Sequence, residues 1–276
     1  MAVHAILIAI FAPLPFAGGG AIGWSVTKNR PPAIIDPALL LLAYRSGIFP
    51  MADARDDPDI FWVEPKLRGI LPLDGFRCSH SLARTLRRGR VTGPIHAPVA
   101  QVIEACAAPR PTPDDAEGET WISHRIAAAY TDLHAAGHAH SVECWLDGAL
   151  VGGLYGVGFD RAFCGESMFS RVPDASKVAL AWLVAALRAG GFTLLDCQFI
   201  TPHLASMGAI EISQTRYLEM LSLAKGPPYS GAAGAASGAG AASLAAGFGA
   251  LLAAAKSAGF SSSPGNVIAQ SFTHTS

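Results

Sequence analysis

Apolar and polar positions follow the most regular pattern between residues 140 and 224, where they predict a run of strands and helices. Apolar residues at every second position indicate strands, and apolar residues three or four apart indicate helices. The predicted strands are 140–146, 149–157, 162–168, 192–198 and a short one near Ile210, and the predicted helices are 175–189, a short one ending at Gly208, and 213–224. Asp147-Gly148 is a strong signal for a two-residue hairpin turn. This order predicts an α+β fold with a mixed sheet.

The first half of the chain predicts one clearly bounded helix, several extended segments and three further helices. Asp36 and Pro37 precede the apolar run 38–46 and Gly47 follows it, which is the residue order of a capped helix. Extended segments are predicted at 60–65 and 69–73, and helices at 79–90, 98–107 and 123–137. We therefore expect a small N-terminal α/β domain at residues 34–95 and a larger domain at residues 96–225.

The two ends of the chain differ from the middle in composition. Residues 1–33 include the apolar run 5–11, which no Lys or Arg precedes and which is short for a membrane span. We expect a flexible apolar extension there, or a start codon assigned too far upstream, with a weak membrane anchor as the alternative. Residues 226–276 are rich in Gly, Ala and Ser, so we expect a low-complexity tail that is at most transiently helical around residues 244–256.

Charge and cysteine content exclude several classes of protein. The net charge of the 276 residues is −1, which argues against a globally basic nucleic-acid-binding protein and leaves only local basic patches. The five cysteines are an odd number and include no CxxC pair. A disulfide framework or zinc cage is therefore disfavoured, and a reducing cytosol fits best.

Polar side chains interrupt two of the apolar strands and are the candidates for chemistry. Glu166 lies in one such run, and Asp196 and Gln198 end another. Burying an unpaired carboxylate costs folding free energy, so we expect these residues to have a functional role or a buried partner. A carboxylate near an amide suits proton handling and orientation of a polar nucleophile, whereas a hydrogen-bonded pair that fixes strand register is the structural alternative. Cys197 should point away from both neighbours, because alternate strand residues face opposite sides.

Eight motifs, in order along residues 34–224, resemble those of the bacterial leucyl/phenylalanyl-tRNA–protein transferases. They are 44–50 (YRSGIFP), 120–122 (TWI), 138–143 (HAHSVE), 150–156 (LVGGLYG), 165–170 (GESMFS), 175–177 (ASK), 196–198 (DCQ), and 203–204 (HL) with 208–209 (GA). The resemblance implies an acetyltransferase-like (GNAT) C-terminal domain behind a smaller N-terminal domain. It also implies transfer of Leu or Phe, and less readily Met, from aminoacyl-tRNA to proteins that begin with Arg or Lys. Such products are marked for degradation in the cytoplasm, and no cofactor, metal or CoA is expected.

The resemblance also assigns roles to particular residues. Asp196 and Gln198 match the positions that orient the acceptor's α-amine and accept charge or a proton, and Glu166 matches the acidic position suited to the acceptor's Arg or Lys. Trp121 and Met51 match positions that contact the terminal adenosine of tRNA, although some relatives have tryptophan where this chain has Met51. By position, the aminoacyl side chain is expected among Leu154, Phe163, Met168, Leu183 and Leu195.

Three arginines on the predicted helix 79–90 form a candidate basic patch. Arg84, Arg87 and Arg88 gather on one side, and Leu82 and Leu86 share the other. Such a run usually marks a solvated helix face. Given the resemblance, contact with the phosphates of the tRNA acceptor stem is the sharper interpretation.

Two other functions compete with this interpretation. The first is a different GNAT-fold acyltransferase, which would use acyl-CoA or a peptidoglycan-type aminoacyl-tRNA donor. An acyl-CoA enzyme should carry a glycine-rich pyrophosphate loop before the helix at 175, and residues 171–177 contain no glycine. The second is a non-catalytic RNA-binding module, which the balanced charge disfavours.

Overall fold

The computed structural model describes residues 35–89, 99–109, 120–225, 242–260 and 264–272. The helices in these ranges are α1 (Pro37–Arg45), α2 (His80–Arg88), α3 (Val99–Ala107), α4 (His124–Ala135), α5 (Ala175–Ala189), α6 (Pro202–Ser206), α7 (Gln214–Ala224), α8 (Leu244–Ser257) and α9 (Gly265–Ser271). The strands are β1 (Phe49–Met51), β2 (Phe61–Val63), β3 (Leu67–Ile70), β4 (Ala139–Leu146), β5 (Ala149–Phe159), β6 (Ala162–Ser170), β7 (Leu194–Gln198) and β8 (Ile210–Ser213). The predicted extension at residues 1–33 lies outside the described residues.

A six-stranded mixed sheet forms the centre of the fold, with the strand order β4-β5-β6-β7-β3-β8. All neighbouring strands are antiparallel except β6 and β7, which are parallel and are joined by the crossover helix α5. β1 and β2 form a separate two-stranded antiparallel sheet. The predicted α+β class with a mixed sheet is confirmed.

Strand β3 joins the first part of the chain to the large sheet. It pairs with β7 on one side and with β8 on the other, and Ile70 lies opposite Asp196. The segment 69–73 was predicted to be extended and assigned to a small domain at 34–95. Its first residues instead complete the same sheet as the chemistry-bearing strands. The predicted domain boundaries stay predictions, but residues 67–70 lie within one sheet with β7.

The ends of α1 and α5 show how the local sequence positions the helices. At α1 the Ala38 N–H donates to Asp36 Oδ1 over 2.7 Å, Pro37 occupies the first turn, and Gly47 follows with a φ of 81°, as predicted. At α5 the residue before the helix, Asp174, makes no side-chain cap and instead binds Lys177 over 2.8 Å.

Glycines shape both the turn between β4 and β5 and the tight ladder between β5 and β6. The Asp147-Gly148 turn has φ values of 49° and 78°, as a type I′ hairpin turn requires. At Gly156, where β5 shifts register, a Cβ atom would overlap the Cys164 carbonyl and the Phe163 ring. Glycine at this position therefore permits the close approach of β5 and β6 at the register shift.

Two hydrophobic cores lie on the two faces of the sheet. One surrounds α5 and includes residues of α2, α8 and α9, and the other surrounds α1, α3, α4 and α7. Helix α8 differs from the expected transient helix, because it packs along α5 with Leu244, Leu251 and Ala255 buried. Gly247 permits this contact, since a Cβ there would overlap the Ala186 carbonyl. No helix in the described ranges is both long and apolar enough to cross a bilayer.

Candidate active site

A cavity of about 440 Å³ lies between α5, α6 and strands β5–β7. This volume is in the range of small-molecule sites. Four of the five residues predicted to hold the aminoacyl side chain line its apolar wall, namely Leu154, Met168, Leu183 and Leu195. Polar side chains also line it, among them Glu166, Gln198, Thr201 and His203, so the cavity combines an apolar wall with a polar end that includes Glu166 and Gln198.

Phe163 is the exception among the predicted pocket residues. Its side chain is fully buried, its ring meets Phe192 with centroids 6.3 Å apart, and it packs against Gly156. It is not among the described residues that line the cavity. Phe163 therefore packs in the core beside the cavity, and its contact with the aminoacyl side chain stays a prediction.

Glu166 on β6 has a buried carboxylate, and within the described residues only one of its two oxygens accepts hydrogen bonds. Its Oε2 accepts a hydrogen bond from the Tyr130 hydroxyl over 2.8 Å and another from Gln198 Nε2 over 2.9 Å. The Tyr44 and Tyr130 hydroxyls lie 2.5 Å apart and extend the network. Glu166 Oε1 is buried and has no hydrogen-bond partner in the described part of the chain. The carboxylate therefore retains capacity for one more donor.

The environment of Glu166 favours its neutral form. Burial raises the pKa of the carboxyl group to about 7, although the nearby hydroxyls of Tyr130 and Tyr44 and the Gln198 amide act in the opposite direction. An external cation near Oε1 would lower this pKa, because an opposite charge favours the ionised form.

Gln198 holds an unusual backbone conformation at the end of β7. Its φ is 62°, in the left-handed region that costs a side-chain-bearing residue free energy. The Gln198 N–H donates to Asp196 Oδ1 over 2.8 Å, and its side chain donates to Glu166. The left-handed turn places Cys197 and Gln198 both on the cavity. The predicted alternation is therefore wrong for this pair.

Asp196 lies behind the cavity wall, fully buried, and makes a bidentate ion pair with Arg68. Arg68 Nε donates to Oδ1 over 2.9 Å and Nη2 to Oδ2 over 2.5 Å, and the Tyr217 hydroxyl donates to Oδ2 over 2.9 Å. Burial alone would raise the pKa of Asp196, but the charge and hydrogen bonds of Arg68 outweigh it and hold the pKa below its ordinary value. Asp196 is thus an anion that contacts Gln198 without itself lining the cavity.

Arg68, Tyr44, Tyr130 and Tyr217 belong to this network and were not predicted as site residues. Arg68 is 1% exposed and its guanidinium lies between the rings of Phe49 and Tyr217, at 4.8 and 4.3 Å from their centroids. The sequence feature that could have indicated Arg68 is its position within the apolar run 67–73. A buried arginine needs a buried anion, and this requirement points to a partner such as Asp196. For the tyrosines, only pairing across the fold reveals the role.

The residues predicted to contact tRNA occupy different surfaces. Trp121 lines the cavity, and its carbonyl accepts the Ala52 N–H over 3.2 Å, so the end of β1 lies beside it. Met51 is partly buried and is not among the described lining residues. The three arginines of α2, namely Arg84, Arg87 and Arg88, are exposed and lie away from the cavity lining.

Cys197 lines the cavity but is a poor nucleophile. Burial raises the pKa of its thiol well above the ordinary value, and the Asp196 charge acts in the same direction. A protonated thiol is a weak nucleophile, so Cys197 contributes to the cavity wall and not to nucleophilic chemistry.

Comparisons with known proteins identify the class of enzyme and then the family. A sequence model described as "Leucyl/phenylalanyl-tRNA protein transferase" matches residues 70–222, and one for the N-terminal domain of the same proteins matches residues 34–66. The chain is therefore an aminoacyl-tRNA–protein transferase, an enzyme that acts on aminoacyl-tRNA and protein. More particularly, it belongs to the leucyl/phenylalanyl-tRNA–protein transferase family.

Individual relatives agree with this membership. The protein of that name from Novosphingobium aromaticivorans is 62% identical over 265 residues, which are 89% of this chain and 98% of the relative. The one from Rhizorhabdus wittichii is 60% identical over 216 residues, which are 78% of this chain and 85% of the relative. Among solved structures, "The structure of L-PGS from Bacillus licheniformis" is 12% identical and covers 60% of this chain and 54% of its own, with a TM-score of 0.33.

Proposed function

We propose that this enzyme transfers Leu or Phe, and less readily Met, from aminoacyl-tRNA to the α-amine of proteins that begin with Arg or Lys. The observation that carries the proposal is the half-occupied carboxylate of Glu166 beside Gln198, at the polar end of an apolar cavity. A cationic acceptor side chain supplies the charge and the donor that Oε1 lacks. The product then bears an N-terminus that marks it for degradation in the cytoplasm.

In this proposal the donated side chain occupies the apolar wall formed by Leu154, Met168, Leu183 and Leu195. These four side chains cannot hydrogen bond to a polar side chain of the donated amino acid, so selection among amino acids depends on shape. Shape discrimination is worth about 1–3 kcal/mol for each methylene. A flexible or planar side chain such as Leu, Met or Phe fits better than a β-branched one.

The chemical step needs a neutral amine placed against the ester carbonyl. The amine nitrogen attacks that carbon, the C–N bond forms, the C–O bond to the ribose breaks, and the amine proton ends on the ribose oxygen. In the proposed mechanism the amide oxygen of Gln198 accepts a hydrogen bond from the amine and orients it, which is the main source of acceleration. Asp196 acts through Gln198, because both carboxylate oxygens already accept hydrogen bonds inside the protein.

The tRNA contacts in the proposal involve Trp121 and Met51, which are partly buried, and the exposed arginines of α2. The terminal adenosine stacks on Trp121, which is at the cavity, with Met51 on the neighbouring strand as a further contact through its polarizable sulfur. Arg84, Arg87 and Arg88 contact acceptor-stem phosphates. Neutralising all three should weaken binding of every tRNA alike and reduce the salt dependence of binding. An unchanged salt slope would contradict this contact.

We extend the proposal to architecture: residues 96–225 form a GNAT-like catalytic domain behind an N-terminal domain at 34–95. The strand order with one parallel pair around the crossover helix α5 supports it.

One experiment tests the proposed reaction. The full chain is incubated with Phe-tRNA and a peptide that begins with Arg, and mass spectrometry detects the addition of one Phe residue. A matched peptide that begins with Asp should not react, and acetyl-CoA as donor should give no product. Transfer to both peptides alike would refute the role of Glu166, and acetylation would instead favour the acyl-CoA alternative.

A further inference from the structure

We propose that Arg68 is a positioning residue for this reaction, which holds Asp196 in place and, through it, keeps Gln198 in the conformation that directs its amide to Glu166. The inference rests on the proposed function for its kinetic consequences. Its structural part, the dependence of Gln198 on Arg68, stands on the contacts alone.

Arg68 on β3 joins three other parts of the chain, namely β7, the segment 47–49 and α7. Its guanidinium binds Asp196 on β7, donates from Nη1 to the Gly47 carbonyl over 2.9 Å, and donates from Nη2 to the Tyr217 hydroxyl over 3.3 Å. Phe49 covers one face of the guanidinium and Tyr217 the other. The head group of Arg68 is therefore fixed in orientation by both stacking and hydrogen bonds.

The same geometry places Asp196 where Gln198 needs an acceptor. Asp196 Oδ1 accepts from both Arg68 Nε and the backbone N–H of Gln198, at 2.9 and 2.8 Å. Oδ2 is used by Arg68 Nη2 and by Tyr217. Without the guanidinium, a fully buried carboxylate would have no compensating charge and would take up a proton or move toward water.

Gln198 is sensitive to such a change because its backbone is in the left-handed region. Besides its pairing with Gly69 of β3, two hydrogen bonds hold it there, the N–H bond to Asp196 and the Nε2 bond to Glu166. A residue in a sparsely populated conformation persists only when its surroundings over-determine it. If Asp196 shifts, the Gln198 amide should turn away from Glu166 and from the amine of the acceptor.

Lysine in place of Arg68 keeps the charge but loses the planar fork that binds both carboxylate oxygens. We expect Arg68→Lys to lower kcat for Phe transfer by about 100-fold, the loss typical of a small misplacement in an active site. The KM for Phe-tRNA should change little, because Arg68 lies behind the site. Arg45→Lys is the matched control: Arg45 also pairs with an aspartate, Asp160, outside the site, and wild-type kcat is expected.

A crystal structure of Arg68→Lys provides a readout independent of activity. We expect Gln198 to leave its positive φ and its side chain to move beyond hydrogen-bond distance from Glu166. An unchanged Gln198 would overturn the inference, as would a kcat equal to that of the wild type per folded molecule. If the wild type transfers no Phe, the proposed function fails, and the crystal structure still decides the role of Arg68.

Tyr217→Phe covers the case in which Arg68→Lys does not fold. It removes one donor to Asp196 Oδ2 and retains the ring that stacks on Arg68. We expect a decrease in kcat of about tenfold, consistent with one lost hydrogen bond to a charged group. Wild-type kcat in Tyr217→Phe, together with wild-type Gln198 geometry, would overturn the inference.

Discussion

Replacing Glu166 with Gln should stabilise the protein while impairing its activity. The substitution keeps the shape and one carbonyl-type acceptor for Tyr130 and Gln198, and it removes the ionisable group. A buried carboxylate is retained in such a position when its charge is needed, even though the fold disfavours it. The change therefore separates a functional carboxylate from a structural one.

The magnitude follows from the pKa of Glu166, which burial raises from 4.5 to about 7. The folded state binds the proton more tightly than the unfolded state, so the free energy of unfolding decreases as pH rises between these two values. At pH 8 the ionised group costs the folded state about 3 kcal/mol, and at pH 5 less than about 1 kcal/mol. Glu166→Gln should therefore gain about 3 kcal/mol at pH 8 and little at pH 5.

Urea unfolding at pH 5 and pH 8 measures this difference, and Phe transfer to an Arg-initiated peptide measures the loss of function. Glu219→Gln is the matched control, because Glu219 is exposed on α7 and pairs only with Arg216 within the described chain. A Glu166→Gln protein that is less stable at pH 8, or whose gain is the same at both pH values, would refute the reasoning. Undiminished transfer would refute the role in acceptor recognition.

Two further substitutions test the cavity wall and the sheet. Trp121→Ala should raise the KM for Phe-tRNA by about 10- to 100-fold, because base stacking is worth about 1–3 kcal/mol. Trp121→Phe keeps an aromatic ring and should retain most of the affinity. Equal KM values in the two variants would exclude stacking. Gly156→Ala should destabilise the protein by about 1–3 kcal/mol in thermal or urea unfolding, because the added methyl overlaps the Cys164 carbonyl. Gly249→Ala on α8, with open space around its Cβ, is the control and should be neutral or slightly stabilising.

The strands and helix that carry the chemistry were predictable because their signals are local. The Asp147-Gly148 turn sets the register of β4 and β5, and the apolar run that forms α5 lies between two strands that must be joined by a crossover. Glu166, Asp196 and Gln198 were conspicuous because each interrupts an apolar run. The family motifs added roles that local patterns do not contain.

The partners of these residues were not predictable from local patterns. Arg68 and Asp196 are 128 positions apart in sequence, and Tyr130 reaches Glu166 across 36 positions. No periodicity specifies that β3 inserts between β7 and β8, because pairing is decided by burial of the whole sheet. Helix α8 was predicted to be at most transient, because an Ala- and Gly-rich segment has little apolar surface with which to form a core alone. In the structure Gly247 lets the backbone of α8 pack closely on α5, and the sequence of α8 does not specify this partner.

The two carboxylates of the site differ in the source of their counter-charge. Asp196 and Glu166 flank the same residue, Gln198, and both are buried, yet their pKa values are shifted in opposite directions. Asp196 is paired with an internal guanidinium, whereas the described residues provide Glu166 only with hydroxyl and amide donors. Separated pKa values in one cluster indicate separate tasks. In the proposed mechanism the internal pair fixes the geometry of Gln198, and Glu166, which has no internal cation among the described residues, binds the cationic acceptor.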